Sequence, residues 1–134
     1  MADGGGPMTW LVVALGSAAG GVLRHAATEA VTRLTGPGFP WGTLLVNTSG
    51  SLAMGAAAAL AVGGLAGAWS PLMRHAAMTG VLGGFTTFSA FSMRTVELAM
   101  QGEWAAAALN VTLSVGVCLA SCWAGYSAVA GLAR

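Results

Sequence analysis

The chain runs apolar from Met8 to Leu23, meets Arg24 and His25, and continues with helical character to about Thr32. Three further apolar stretches follow: Gly42 to about Val62, about Leu72 to Met100, and Trp104 to Leu132. A helix needs about 20 apolar residues to cross the hydrocarbon core of a bilayer, and all four stretches qualify. Between them lie 33–41, with Gly36, Pro37, Gly38 and Pro40, then 63–71, then only 101–103. These are turn-sized connectors built from helix-stopping residues. Trp10, Trp41, Trp69 and Trp104 fall at or near predicted helix starts, where an amphipathic indole favours the headgroup level. The pattern predicts an all-α membrane protein: four transmembrane helices (about 8–32, 42–62, 72–100 and 104–132) in a single domain, 1–134, packed as a compact bundle.

Composition strengthens this reading. Apolar residues make up 56% of the chain and charged ones 7%, too few charges to solvate the surface of a soluble domain. The net charge is +1, and all five basic residues are Arg. That is no electrostatic footprint for nucleic acid. A signal peptide is the competing explanation of the first segment, but 1–7 carries Asp3 and no positive charge, and three more spans follow. Cys118 and Cys122 sit one turn apart on the fourth helix. That spacing suits neither a disulfide nor, without a nearby His, a metal site, so both read as small packing residues, with Cys118 a candidate lining residue. Gly16 with Gly20, Ser51 with Gly55, Gly63 with Gly67, and Gly80 with Gly84 form small-xxx-small pairs that let helices approach closely in lipid.

Orientation is nearly balanced. With four helices, one side carries Arg74 and Arg134 and the other Arg33 and Arg24, so the distribution of positive charge gives little preference. Either the balance is accidental, or copies insert both ways and assemble as an antiparallel pair.

The third stretch contains the run Gly80-Val81-Leu82-Gly83-Gly84-Phe85-Thr86-Thr87-Phe88-Ser89-Ala90-Phe91-Ser92. Adjacent glycines followed by two threonines at mid-span weaken a helix where lipid offers no water to freed carbonyls. A break near 83–87 is therefore expected, buried or facing a polar cavity. Freed carbonyls at a half-helix end can ligate a small hard cation. Phe88 and Phe91, three apart, share a face just beyond; such pairs are usually core, yet a ring edge carries partial positive charge that an anion can approach. Thr43, Asn47 and Ser51 repeat at one-turn spacing on the second helix, as do Asn110, Ser114 and Cys118 on the fourth. Neutral donors without acidic partners suit an anion better than a cation, although an Asn within a span also serves to glue helices.

At these residues the chain resembles the Fluc (CrcB-type) fluoride channels of bacteria. The matching segments are Gly20-Gly21-Val22-Leu23-Arg24, Gly42-Thr43-Leu44-Leu45-Val46-Asn47-Thr48-Ser49-Gly50, and 83–92. The resemblance implies passive fluoride export across the bacterial inner membrane, through two pores of a dual-topology antiparallel homodimer. It implies a structural sodium ion at the centre, held by the carbonyls of Gly83 and Thr86 of both subunits. Phe88 and Phe91 would be the paired pore phenylalanines, Asn47 the pore amide and Arg24 the vestibule cation, with Thr43, Ser114, Asn110 and Cys118 completing the fluoride path. Four positions depart from the pattern: Asn110 stands where an aromatic hydroxyl is usual, Cys118 where a serine is, Ala90 where a threonine is, and Arg94 where an acid is.

No nucleophile with a base, no phosphate loop and no metal-ligand cluster argues for catalysis, and His25 and His75 lie near helix ends. A proton-coupled multidrug exporter would need an acid deep in the membrane, whereas Glu29, Glu97 and Glu103 lie toward ends. A non-transporting assembly subunit would explain the small-residue pairs but not the clustered Phe, Asn, Ser and Thr.

Overall fold

The computed structural model describes residues 6–62 and 69–132. Five helical elements account for nearly all of them: α1 (Pro7–Thr35), α2 (Trp41–Val62), α3 (71–85), α4 (Phe88–Met100) and α5 (Trp104–Leu132). Helices α1, α2 and α5 are long and apolar enough to cross a membrane; at 1.5 Å per residue, the 29 residues of α1 or α5 extend roughly 44 Å. Helices α3 and α4 together make a fourth unit in two pieces. Apolar side chains such as Trp10, Leu15, Leu119 and Trp123 point outward, the arrangement expected of a bundle whose solvent is lipid.

Several helix ends have a local cause. Pro7 opens α1 at a position where its missing N–H costs nothing. Gly36 closes it with a positive φ of 81°, its N–H returning to the Thr32 carbonyl, and Pro37 prevents continuation. Ser70 caps α3 by accepting the Met73 N–H at 3.2 Å, with Pro71 next. At the far end of α4, Gly102 (φ 84°) and Glu103 return their N–H groups to Ala99 and Leu98. This Schellman turn satisfies two otherwise orphaned carbonyls and folds α5 back antiparallel.

Two tight pairings build the bundle. Helix α2 packs most extensively on α5, where Gly55 lies against the backbone of Cys122 and Gly125 against that of Leu52. A Cβ at either glycine would overlap the facing carbonyl. Helix α1 packs on α3 in the same manner: a Cβ on Gly16 would lie 2.9 Å from the Ala76 carbonyl oxygen, and one on Gly84 only 2.5 Å from that of Ser17. The Gly16–Gly20 and Gly80–Gly84 pairs thus interlock with each other, while the Gly63–Gly67 pair, Asp3 and Arg134 lie outside the described residues.

Helix α3 is not uniform. After one α-helical turn, Pro71–Arg74, residues His75–Leu82 take the wider π spacing, in which an N–H reaches five residues back, and Gly83–Phe85 then regain α geometry. The break falls later than the glycines. Gly83 is helical (φ −64°, ψ −38°), and the chain leaves the helix at Thr86 (φ −79°, ψ 157°) and Thr87 (φ −153°, ψ 115°). The break thus lies within the expected 83–87, at the threonine end of that run: both glycines stay helical, at Gly84 the missing side chain is used for contact with α1, and the interruption has a further cause.

The packing predicts a contrast between two glycines. Gly84→Leu should cost at least about 1–3 kcal/mol by overpacking and lower the thermal unfolding midpoint in detergent. Gly116→Leu, where nothing lies within 4 Å, should leave it in place; equal midpoints for the two variants would contradict the close α1–α3 contact.

Candidate functional site

The break is held open by one side chain. Asn47 of α2 donates from Nδ2 to the Thr87 carbonyl at 2.9 Å and accepts the Thr87 N–H on Oδ1 at 2.7 Å. The two bonds close a ring that mimics pairing with a neighbouring β-strand. In a continuous helix the Thr87 N–H would go to the Gly83 carbonyl; turned toward Asn47, it leaves that carbonyl without its helical donor. The Thr86 hydroxyl and N–H both return to the Leu82 carbonyl at 3.0 Å, ending α3. The Thr87 hydroxyl then accepts the Ala90 N–H at 3.1 Å, the N-cap that restarts the chain as α4. Arg24 reaches across from α1, Nη1 donating to the Thr86 carbonyl at 3.3 Å. Gly50 gives the break room, since a Cβ there would collide with the Thr86 methyl.

Beside the break, between α2, α4 and α5, lies a cavity of about 390 Å³. Asn47, Ser51, Thr86, Thr87, Ser114 and Cys118 give it polar atoms, Phe88 and Phe91 its aromatic side, and Met54 and Cys122 further sulfur; no lining residue carries a formal charge. The Phe88 and Phe91 rings are in contact, centroids 5.2 Å apart and tilted by 57°. Their surroundings differ, for Phe91 is buried at 7% exposure and Phe88 stands out at 76%. Asn47 has a hydrogen to spare for this space, because its amide nitrogen carries two and Thr87 takes one. Neutral hydroxyl, thiol and amide donors beside tilted rings can solvate a small anion without a countercharge to trap it.

Of the residues singled out from sequence, the fold gathers Asn47, Thr86, Phe88, Phe91, Ser114 and Cys118 around one space. Thr43 lies elsewhere: it is buried and lines a separate pocket of about 50 Å³ with Thr28, the 36–40 connector, Arg94 and Glu97. Asn110 is 1% exposed and sits behind the cavity wall. Its Nδ2 donates to the Thr95 hydroxyl at 2.9 Å, Thr95 donates to the Phe91 carbonyl at 2.9 Å, and the Ser114 hydroxyl donates to Asn110 Oδ1 at 3.4 Å. Asn110 therefore ties α5 to the turn that carries Phe91. Arg24 is half-buried against the Thr86 carbonyl, and Gly83 is exposed, outside the cavity wall. Thr87 was read only as part of the Thr/Ser run after the glycines, without its capping role, and Thr95 was missed as a functional candidate. A Thr directly before a restarting helix is an N-cap signal that points to Thr87, whereas nothing local marks Thr95. Arg94 pairs with Glu97 at 2.9 Å on the exposed side of α4.

The fold and site define a membrane-spanning helical bundle with a broken span beside an uncharged polar cavity. The model of the family described as CrcB-like protein, Camphor Resistance (CrcB), matches residues 11–126. The chain is 43% identical over 125 residues to the "Fluoride-specific ion channel FluC" of Paramagnetospirillum magneticum, covering 90% of this chain and 94% of that protein. The protein of the same name from Opitutus terrae is 46% identical over 126 residues, covering 92% and 93%, and that of Rhodospirillum rubrum 44% over 123 residues, covering 89% and 92%. This chain belongs to the CrcB-like family.

The two-point bond at the break has a direct consequence. Asn47→Ala should strand both Thr87 backbone groups at about 1–3 kcal/mol each, lower the unfolding midpoint and speed hydrogen exchange at the Thr87 amide. Unchanged exchange there would show that Asn47 does not hold the break.

Proposed function

We propose that this chain is a fluoride-selective ion channel of the bacterial inner membrane, a multi-pass protein that lets cytoplasmic fluoride leave down its electrochemical gradient. The activity is conduction, not catalysis. The observation that carries the reading is the cavity in which the Phe88–Phe91 pair faces neutral donors and no acid, in a chain whose relatives are named as fluoride channels over nearly their whole length. Fluoride is small and strongly hydrated, so a path must replace its water by several weak contacts without one deep trap. The second Asn47 amide hydrogen, the Ser114 and Ser51 hydroxyls, the Cys118 thiol and the ring edges supply such contacts. Arg24 raises the anion concentration near the break, and Asn110 acts by positioning Phe91. Thr43 belongs at one mouth of the path rather than at its centre.

The same reading includes an antiparallel dual-topology homodimer with two fluoride pores and a structural sodium ion on its axis. Support comes from the nearly balanced arginines, the outward Phe88 and the exposed Gly83. The donor set fits the ion: the Gly83 carbonyl has lost its helical partner, and the Thr86 carbonyl, with two lone pairs, keeps one after Arg24 has bonded. When bound, sodium neutralises carbonyls that would otherwise be costly in a dry interior. Two subunits bring four such oxygens, and a closed two-fold pair supplies them symmetrically.

Purified protein in liposomes should release fluoride with no proton gradient imposed. A proton-coupled exporter would require the gradient, and an assembly subunit would release nothing. Phe88→Ile and Phe91→Ile should each slow efflux about ten-fold or more, equivalent to about 1.4 kcal/mol, with assembly intact, because volume is roughly kept while the polarised edge is lost. Normal rates in both would return the pair to a packing role. Orientation is tested separately. Several Lys added to the 101–103 connector should abolish flux alone, and co-expression with a copy biased the opposite way by N-terminal Lys should restore it. Full flux from the singly biased variant would rule out the antiparallel pair.

A further inference from the structure

We propose that Met54, Cys118 and Cys122 form a binding site for a soft monovalent cation, Cu(I) or Ag(I), in the wall of the large cavity. In the sequence the two cysteines, with no His nearby, spoke against a metal site. The fold supplies a third ligand from another helix: Met54 of α2 lines the same space as Cys118 and Cys122 of α5. Both thiols are free and half-buried, so they are neither consumed by a disulfide nor lost to bulk solvent.

The donor chemistry selects the ion. Among the described residues no group of three or more His, Cys, Asp or Glu is placed to hold a metal, so the donors at this place are two thiols and a thioether. Thiolate and thioether together are the soft set that favours Cu(I). Residues four apart on a helix have Cβ atoms about 5–6 Å apart on one face. Two metal–sulfur bonds of about 2.3 Å, the length known for zinc thiolates, can bridge that separation, and Met54 lines the same space from the facing helix. As the metal–sulfur bond forms, at least one thiol gives its proton to water. No electron moves, since either ion keeps the oxidation state in which it arrives. The Thr48 hydroxyl, 3.8 Å from Cys118 Sγ, can donate to the resulting thiolate.

A cation held there shares the cavity with Phe88 and Phe91 and obstructs it. The site itself stands apart from the channel reading, whereas the obstruction rests on it, and the two are tested separately. Full-length protein in detergent is titrated with Cu(I) against bathocuproine disulfonate as competing chelator. The expected result is one Cu(I) per chain, with Cys118→Ser and Cys122→Ser each weakening binding about ten-fold or more. Met54→Leu should weaken it less, and Met100→Leu, on the outer surface, not at all. Failure of the protein to compete for Cu(I), or binding unchanged in both serine variants, overturns the site. Ag(I) should then slow fluoride efflux from liposomes carrying the unmodified protein but not, relative to its own rate, from those carrying Cys122→Ser; equal inhibition of both overturns the obstruction. Should the protein pass no fluoride at all, the channel reading fails, and the chelator titration still decides the metal site.

Discussion

A polypeptide that crosses lipid must satisfy its backbone from within, and the bond pair between Asn47 and Thr87 is where this structure meets that requirement at its weakest point. Two residues of extended chain in mid-span free N–H and C=O groups from the helix where lipid offers them no partner. One carboxamide takes both groups of Thr87, and its orientation is forced, since the N–H can only donate and the C=O can only accept. The other bonds at the break depend on that arrangement. Thr87 is free to cap α4 because its own backbone is held, the Thr86 carbonyl faces Arg24, and the Gly83 carbonyl is released outward. Phe88 and Phe91 take their positions from where α4 restarts, so the aromatic side of the cavity is set by an amide two helices away in sequence.

The bundle divides its interior between contact and space. On the α1–α3 side, and along the lower part of α2 and α5, glycine brings backbones together until a single added carbon would collide. Between those seams, α2 and α5 carry side chains of intermediate size, Asn47, Ser51, Ser114 and Cys118, and α4 closes the remaining side of the cavity with Phe88 and Phe91. Dispersion and close backbone approach hold such a bundle where the hydrophobic effect offers little between helices.

Most of the architecture was legible in the chain itself. Apolar run length and Gly/Pro punctuation marked the helices, and the threonines of the third stretch marked an interruption. What spacing could not convey was which neighbour covers each face. Thr43 and Asn47 lie one turn apart, yet one meets α1 and the connector while the other meets the break. Asn110 matched a stripe of donors, but the Thr95 hydroxyl on α4, invisible from α5, draws it away from the cavity. Arg24 reads as a free charge at a mouth until the Thr86 carbonyl is placed within its reach. Within the run 83–87 the exact place of the interruption was not legible: close contact with α1 uses Gly84 inside the helix, and an amide from α2 chose the threonines. Met54 drew no notice at all, because a lone thioether gains meaning only from the thiols opposite.

The wide turns of His75–Leu82 act on the whole of α3. A π segment fits more residues into each turn than the 3.6 of an α-helix, so it works as a phase adjuster between two fixed points, the Ser70 cap at one end and the Asn47 clamp at the other. The glycines at 80 and 84 must arrive facing α1, and Thr86 must arrive facing Gly50; a uniform helix of the same residue count would bring them in rotated. Seen this way, the segment is a built-in tolerance. It absorbs the mismatch between the length of chain from the cap to the break and the angular positions that the neighbouring helices demand, much as a vernier reconciles two scales of different pitch.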